Sequence, residues 1–288
     1  MPLRDLGAIF LLTDYGLSDE FVGVVHAVLA HQAPGAPVID LSHGISPGDV
    51  WAGAHALQRC SPHLGPGVVV AVVDPGVGTG RRAVAVEVDG AGGPRWLVGP
   101  DNGVLDLGIR CFGGARRAFV LGSPPAVPRA QGGSSGRPWV PTTFATTFDG
   151  RDVFAPAAAR LWSGIDASVL GSPVPPGDLI GMSVVPTVVA DRRIDTVVTW
   201  VDRFGNVQLA AEPDHVVQAA FGPGPVQVEA GGRHWTARPV LGFAELGPAE
   251  LGLLVDANAR LSLVTDRRSA AAVLGVRQEQ AVVLWSRA

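Results

Sequence analysis

The sequence predicts an α/β protein, with an N-terminal α/β sheet domain over residues 1–172 and a smaller, mainly-β, barrel-like domain over residues 179–288. Three observations predict this organisation. Buried-strand patterns alternate with helical stripes in the first half of the chain. A proline-rich segment, Gly171–Asp178, then indicates a linker. Beyond it, short alternating segments typical of strands replace the helical periodicity.

Elements of the predicted first domain follow one another as strand and helix. The apolar run Ala8–Thr13 predicts a strand that stops at Asp14. Ser18 can cap a helix whose apolar stripe begins at Phe21 and recurs every three or four residues. The alternation continues with a strand, a helix that opens on a capping box, and a third strand: Pro37–Leu41, Ser46–Arg59 and Val68–Val73. Further strands at 83–88, 96–98 and 118–121, a Pro-, Gly- and Ser-rich loop at 122–141 and a helix at 151–163 complete the domain.

The predicted second domain consists of short segments with strand-like alternation, which favours a small barrel or sandwich. These segments are 196–201, 207–209, 226–229, 251–255, 261–264 and 282–285. No internal repeat of fixed period accompanies them.

Composition excludes several classes of function. The formal net charge is −4, so no basic field attracts nucleic acid. All 22 basic residues are arginine, which rules out a GxxxxGK[ST] phosphate loop, a Schiff-base lysine and a kinase-type lysine. The first ten residues lack a signal-peptide pattern and no window approaches 18 apolar residues, so we expect no membrane span. Cys60 and Cys111 form no CxxC pair, and we expect buried, inert thiols in a reducing, cytoplasmic location.

A glycine-rich segment, Asp74–Gly80, follows the third predicted strand. Taken alone it matches the D-x-G-x-G-x-G loop of methyltransferases, in which glycines let the backbone approach a ligand closely. In that fold the loop opens a helix, whereas here it runs into the strand-like segment Arg81–Val88. The sequence therefore favours a ligand loop of another kind, with a structural turn or a methyltransferase as alternatives.

Two other motifs point to no site. Gly132–Gly136 matches the G-x-S-x-G pattern of hydrolases but lacks the strand and helix that expose the serine, so we expect a flexible loop. The seven histidines include no HExxH motif and no tight ligand cluster, so we expect no metal site. His43, just past a predicted strand, is expected to be a structural hydrogen bonder rather than a catalytic base.

Three aspartates, Asp14, Asp74 and Asp101, lie at or just past the carboxyl ends of predicted strands. Open α/β sheets bind their ligands at this edge. A single aspartate in such a place is usually a cap, but three with glycine-rich neighbours favour a ligand site.

Short segments along nearly the whole chain share the pattern of one known family. In chain order they are Thr13–Gly16, Asp40–His43, Val72–Arg82, Gly99–Gly103, Phe148–Asp152 and Asp202–Asn206, followed by the tail from Leu251 to Gly275. Together they resemble the S-adenosylmethionine (SAM) hydroxide adenosyltransferases, or SAM hydrolases, which are relatives of fluorinase and chlorinase. The DPGVGT-x-R and PDNG segments are the most specific.

The resemblance implies a fold, an activity and a set of site residues. It implies an N-terminal α/β domain, a β-rich C-terminal domain, and a homotrimer with ligand between subunits. It also implies cleavage of SAM to adenosine and L-methionine by water or hydroxide attacking C5′ of the ribose, with SAM as substrate and no cofactor or metal. The residues implied are Asp74, Arg81 and Asp149 as catalytic, Asp14 at the ribose, Phe204, Asn206 and Phe243 at adenine, and Asp202 with Asn258 at the methionine end.

Two features of this sequence favour a hydrolase over a halogenase. The halogenases that it resembles have tyrosine where this chain has Asp74, and a carboxylate repels halide by about 4 kcal/mol at ~4 Å and an effective dielectric near 20. The long insertion of the fluorinase is also absent between Arg82 and Trp96.

One position departs from the family pattern. The third catalytic residue of the family is usually histidine in an F-H-G-R-D segment, and here it is Asp149. The sequence therefore leaves open a non-catalytic protein that binds SAM or adenosine. It also leaves open that Asp149 is a structural residue bonded to Arg151.

Overall fold

A computed structural model of the chain describes residues 7–90, 92–122 and 147–286. The chain divides into two compact units, Met1–Met182 and Ser183–Ala288. The Gly132–Gly136 motif and most of the predicted loop at 122–141 lie outside the described residues. Among the described residues, no helix has the length and apolar character needed to cross a membrane.

The first unit is built on one mixed sheet of seven strands. Its strands are β1 (Ala8–Thr13), β2 (Val38–Ser42), β3 (Gly67–Val72), β4 (Ala83–Val88), β5 (Pro94–Pro100), β6 (Ala115–Leu121) and β7 (Gly171–Val174). Its helices are α1 (Phe21–Gln32), α2 (Val50–Cys60), α3 (Asp106–Cys111) and α4 (Ala155–Trp162). The strands lie in the order β2-β1-β3-β5-β4-β6-β7, and the first four are parallel while β4, β6 and β7 pair antiparallel.

Helices cover both faces of this sheet, as the continuously apolar strands require. Every residue of β1 is buried. Ile9 and Leu11 point to the face covered by α1 and α4, whereas Phe10 and Leu12 point to the face covered by α2 and α3. The predicted α/β class of this unit is therefore confirmed.

The strand order makes the ends of β1 and β3 the expected place for a ligand. Both β2 and β3 pair with β1, on opposite sides, so the connections that follow β1 and β2 turn away in different directions. Open α/β sheets bind ligands at such a point, outside the carboxyl ends of the strands. Thr13 pairs with Val72, so Asp14 and Asp74 leave the sheet at the same edge.

The second unit is a closed barrel of antiparallel and parallel pairs. Its strands are β8 (Val188–Ala190), β9 (Arg193–Val201), β10 (Val207–Leu209), β11 (Val226–Ala230), β12 (Arg233–Pro239), β13 (Leu251–Val255), β14 (Leu261–Thr265) and β15 (Ala281–Ser286), with helices α5 (Pro213–Gln218) and α6 (Ala270–Leu274). Because β9 pairs with both β15 and β10, seven strands form a ring and β8 is added outside it. The predicted barrel-like domain is confirmed.

Some local predictions differ from the structure. The segment predicted as a linker contains β7, which pairs with β6, so the first unit extends to Met182 rather than to residue 172. The cap of α2 is the Asp49 side chain, which accepts from Ala52 N at 2.8 Å. Cys111 is exposed and Cys60 is only half-buried, so the expectation that both thiols are buried is wrong.

Candidate active site

The loop after β3 places Asp74 and Arg81 against each other. Two successive turns, closed by Val77 N to Asp74 O and Thr79 N to Gly76 O, fold the chain back before β4 begins. Arg81 Nε then donates to both Asp74 carboxylate oxygens at 2.9 Å, and Nη2 donates to Oδ2. The loop leads into a strand, as predicted, which disfavours the methyltransferase interpretation.

The same guanidinium also binds Asp149, from a segment far along the chain. Arg81 Nη2 lies 2.5 Å from Asp149 Oδ2. The side chains of Asp74, Arg81 and Asp149 are 6%, 12% and 19% exposed. Two carboxylates and one guanidinium carry a net charge of −1 in a largely desolvated place. Burial alone lowers the pKa of Arg81, but its bonds to the two aspartates outweigh this and raise that pKa above its usual value.

Tight packing against Tyr15 holds Asp149 in position. A π-helical turn, Gly150–Phe154, follows Asp149 and leads into α4. A Cβ at Gly150 would overlap the Tyr15 hydroxyl, so only glycine fits there. Phe148 packs edge-on against Tyr15 and Phe21, with ring centroids 5.7 and 5.1 Å apart. Arg151 pairs with Asp152 at 2.7 Å, so the alternative of an Asp149–Arg151 bond is not what the structure contains.

Tyr15 is a functional candidate that the sequence analysis missed. Burial raises the pKa of its hydroxyl well above the ordinary value, and the charges of Asp14, Asp74 and Asp149 add to this, while Arg81 opposes it. The phenol therefore stays protonated and can donate a hydrogen bond inside the cluster. Its position directly after Asp14 at a strand end was the available signal.

Asp14 lies at the end of β1, with one carboxylate oxygen engaged by the backbone. Its Oδ2 accepts from Gly48 N at 2.8 Å, which ties the β1 loop to the turn before α2. The loop is fixed a second time by His43, whose backbone oxygen accepts from Gly16 N at 2.8 Å and whose Nδ1 lies 2.8 Å from Thr13 Oγ1. His43 is buried, consistent with the predicted structural role.

Asp101, the third strand-end aspartate, is occupied by structural bonds. It accepts from Arg82 Nε at 2.7 Å and from Ile180 N at 2.8 Å. Its side chain is buried, and it fastens the segment that follows β7 to the sheet edge. Asp101 therefore makes structural bonds and is not part of the Asp74–Arg81–Asp149 cluster, although Asp74 and Asp101 follow the neighbouring strands β3 and β5.

A second polar cluster gathers His26 of α1, Asp40 of β2 and His43. His26 Nε2 is 2.8 Å from Asp40 Oδ1, and His43 Nε2 is 3.0 Å from the same oxygen. Burial pushes the pKa of Asp40 upward, but its interactions with the two imidazoles outweigh this and hold that pKa below its usual value. Among the described residues these three side chains are the group whose ligand atoms come close enough to hold a metal ion.

In the second unit, all three residues predicted to contact adenine line one cleft of about 440 Å³. Phe204 and Phe243 are 72% and 47% exposed, which is unusual for such large apolar side chains, and Asn206 lies beside them. The opposite wall is the segment from Thr265 to Ser269. Gly205, with φ of +85°, lets the two walls meet, because a Cβ there would overlap Ser269 Oγ.

The predicted residues for the methionine end, Asp202 and Asn258, lie outside the lining of this cleft. Asp202 closes its own loop, since Oδ1 accepts from Phe204 N and Asn206 N and Oδ2 accepts from Asn206 Nδ2. Asn258 sits in the turn between β13 and β14, where its backbone N–H donates to Asp256. The Asp202 side chain thus contacts two lining residues of the cleft, Phe204 and Asn206, through its hydrogen bonds, although Asp202 itself is not part of the lining.

Arg267 and Arg268 are cleft residues that the sequence analysis missed. They follow β14 directly, and Ser269 caps α6 by accepting from Ala272 N at 3.0 Å. Asp266 lines the cleft beside them and lies 3.8 Å from Arg267 Nε, so this part of the lining carries both signs of charge.

Comparison with known proteins decides the family. The pattern of the SAM hydroxide adenosyltransferase N-terminal domain matches residues 9–171, and that of the C-terminal domain matches residues 196–283. The chain belongs to the SAM hydroxide adenosyltransferase family.

Members of the SAM hydroxide adenosyltransferase family resemble this chain over nearly its whole length. A Salinispora tropica protein named (R)-S-adenosyl-L-methionine hydrolase is 40% identical, over 92% of this chain and 92% of its own. A Thermus thermophilus protein of the same name is 40% identical over 96% and 98%. An Actinoplanes fluorinase is 24% identical over 77% of each.

Solved structures agree with the fold of this chain. An uncharacterized conserved protein from Thermotoga maritima superposes with a TM-score of 0.84 at 27% identity, covering 96% of this chain and 100% of the other. A conserved hypothetical protein from Thermus thermophilus gives a TM-score of 0.72 at 34% identity, over 96% and 99%.

Proposed function

We propose that this chain hydrolyses SAM to adenosine and L-methionine by in-line attack of water or hydroxide on C5′ of the ribose. The observation that supports this most strongly is the cluster of Asp74, Arg81 and Asp149 at the sheet edge where β1 and β3 end. The names of the relatives that match most of the chain point to the same reaction.

The reaction requires little acid–base catalysis by the protein. The oxygen of water forms a bond to C5′, the C5′–S bond breaks, and its electron pair goes to sulfur. Sulfur leaves as a neutral thioether, so no general acid is needed, and one proton passes from the attacking water to a carboxylate or to solvent. Positioning of the nucleophile can supply about 7–11 kcal/mol of barrier reduction.

The three polar residues divide this work. Arg81 holds both carboxylates in place, and Asp74 uses both of its oxygens in that bond. Among the described residues, Asp149 Oδ1 has no hydrogen-bond partner, so it can accept a hydrogen bond from the attacking water and then its proton. The net charge of −1 favours the sulfonium cation over the neutral adenosine product.

Substrate recognition is assigned to the remaining residues. Asp14 Oδ1 is left to accept from a ribose hydroxyl, because Oδ2 is bonded to Gly48 N. Phe204 and Phe243 offer ring faces for adenine, with Asn206 to hydrogen-bond its edge. Asp202 and Asn258 remain proposed for the methionine end on the resemblance alone.

A second candidate is a protein that binds SAM or adenosine without cleaving it, which is favoured by Asp149 in place of the usual histidine. Incubation with SAM, followed by product analysis, distinguishes the two. We expect adenosine and methionine in equal amounts. Intact, bound SAM would support the binding protein, and S-adenosylhomocysteine with a methylated acceptor would support a methyltransferase.

The source of the new oxygen tests the single displacement. In oxygen-18 water, we expect the label in the 5′-hydroxyl of adenosine, because the chain has no lysine and the attacking group is solvent. Unlabelled adenosine would contradict direct attack by water.

We also propose that the chain forms a homotrimer with the ligand between subunits, as the resemblance implies. Sedimentation should give a trimer. Mixing an inactive Asp74→Ala chain with an inactive Phe204→Asp chain, with subunit exchange, should restore part of the activity, because residues of two chains serve a ligand that lies between subunits. A monomer, or no restoration after verified exchange, would contradict the shared site.

We propose a cytoplasmic location because of the two cysteines. Cys60 and Cys111 are both free thiols, which suits a reducing compartment. Cell fractionation that finds the protein outside the cytoplasm would contradict this.

A further inference from the structure

We propose that His26, Asp40 and His43 form a binding site for a divalent transition-metal ion, with zinc(II) as the best match. This site is separate from the proposed hydrolysis, and its test does not depend on activity. The three side chains come from α1, from β2 and from the turn after β2, and the fold brings them to one edge of the first unit.

The ligand atoms already lie close to a metal-binding arrangement. All three fall within 4.8 Å of one another, with Asp40 Oδ1 at 2.8 Å from His26 Nε2 and 3.0 Å from His43 Nε2. Ligands at about 2.0–2.1 Å from a tetrahedral zinc ion stand roughly 3.3 Å apart. The two contacts to Asp40 Oδ1 would therefore lengthen by about 0.3–0.5 Å to admit the ion. The two imidazole nitrogens, now within 4.8 Å of each other, would also come to about 3.3 Å apart, and His26 and Asp40 are partly exposed and able to move.

The chemistry of the donors selects the class of ion. Two imidazole nitrogens with one carboxylate oxygen suit zinc and its neighbours in the first transition row, whereas magnesium and calcium prefer oxygen alone. The solvent-facing side of His26 and Asp40 leaves room for a water as the fourth ligand.

The buried imidazole of His43 is the independent observation that points to a ligand. Its side chain is 4% exposed, and its Nε2 lies 3.0 Å from Asp40 Oδ1 but, among the described residues, forms no hydrogen bond of proper geometry. A buried nitrogen next to a poorly aligned carboxylate oxygen is costly to the fold, and a cation bound by both atoms would remove that cost. Its other ring nitrogen, Nδ1, lies 2.8 Å from Thr13 Oγ1, the kind of outer contact that orients metal-bound histidines.

An ion at this site would act on the loop that carries Asp14 and Tyr15. His43 holds that loop twice, through Thr13 Oγ1 and through Gly16 N. Fixing the imidazole therefore restrains the start of the candidate active site without contributing to its chemistry.

The test is a direct binding measurement on chelator-stripped full-length protein. Calorimetry with zinc(II), and visible absorption with cobalt(II), should show one ion per chain, and magnesium and calcium should not compete. His26→Ala and Asp40→Asn should each weaken zinc binding by more than about tenfold, because each removes a direct ligand. The matched control is His31→Ala, on the same helix but outside the cluster, and it should bind as the wild type does.

A measurement on the wild-type chain keeps the proposal testable if a variant fails to fold. Bound cobalt(II) should broaden or shift the imidazole NMR signals of His26 and His43 and leave those of His215 and His234 in place. The proposal is overturned if the wild type binds no zinc, if both ligand variants retain wild-type affinity, if His31→Ala loses as much, or if cobalt perturbs other histidines instead.

Discussion

The charged cluster of the first unit and the aromatic cleft of the second unit are built in opposite ways. In the first unit, Asp74, Arg81 and Asp149 are largely desolvated and satisfy one another, with Asp74 only 6% exposed. In the second unit, Phe204 and Phe243 face solvent in an open cleft, with Phe204 72% exposed. The charged cluster is a closed electrostatic arrangement, and the aromatic cleft is an open apolar surface.

Because of this difference, we expect the buried charges to affect the stability of the fold and the exposed aromatic rings to affect substrate recognition. A buried charge that loses its partner is strongly destabilising, by about 3–5 kcal/mol. An exposed aromatic ring contributes little to the folded state and can be removed with little effect on it. We therefore expect changes in the charged cluster to alter folding and turnover together, and changes in the aromatic cleft to alter mainly substrate affinity.

The largest expected effect is that of Arg81→Ala. It leaves two buried carboxylates unpaired, so the free energy of unfolding should fall by about 3–5 kcal/mol and SAM hydrolysis should be abolished. Arg116→Ala is the control, because that arginine pairs with Asp89 at the surface and should contribute at most about 1 kcal/mol. Denaturant unfolding measures the free energy of unfolding of both variants. An equal decrease in the two variants would contradict the expected difference between buried and exposed charges.

Asp149 tests whether the departure from the family pattern is catalytic. Asp149→Ala should lower kcat by about 10²–10⁴, because the water loses its acceptor. Asp149→His should retain measurable hydrolysis, since it restores the usual residue of the family next to Arg81. If Asp149→Ala equals the wild type in turnover, Asp149 has no catalytic role and Asp74 with Arg81 must suffice.

In the aromatic cleft, Phe204→Ala should raise KM and leave stability unchanged. Loss of one stacking contact with a base costs about 1–3 kcal/mol, so KM should rise roughly 5- to 150-fold with a smaller change in kcat. Leu241→Ala is the matched control, because Leu241 is also exposed and lies outside the cleft lining. A Phe204 variant with lower kcat and unchanged KM would argue against a binding role.

The smallest expected effect is a titration of Tyr15, the one tyrosine of the chain. Its pKa is raised in the folded state by burial and by neighbouring aspartates. A raised pKa contributes stability that is fully present below the unfolded value of about 10 and is lost as the pH rises above it. Tyrosinate absorbance should therefore be absent from the native protein at about pH 10 and appear only with unfolding. Half-ionisation at that pH in the folded chain would contradict the buried position.

Strongly patterned elements could be predicted from the sequence. The bounds of β1, β4, β10 and β13 agree with prediction because apolar runs ended at clear breaks. In contrast, β7 contains a proline and β12 is largely polar, so each depends on pairing with a neighbouring strand, which the local pattern does not encode.

The candidate site was predictable where a motif carried it. Asp74 and Arg81 belong to one sequence motif, the glycine-rich loop after β3, and the structure places Asp149 in contact with Arg81. His26 and Asp40 were not foreseen as neighbours, because they lie 14 positions apart on a helix and a strand that meet only in the folded unit. For Asp202, a motif alone was not enough. The motif did not reveal that both carboxylate oxygens of Asp202 accept hydrogen bonds from Asn206 within the same loop.

Closure of the barrel also constrains when the second unit can fold. The last strand of the chain, β15, lies between β11 and β9, so the ring has a gap until that strand is in place. During synthesis the edges of β9 and β11 therefore stay unpaired until residues 281–286 leave the ribosome. Contacts of such long sequence separation form slowly. Loss of the final strand would leave two open edges, and a chain truncated before Ala281 would be prone to aggregate through them.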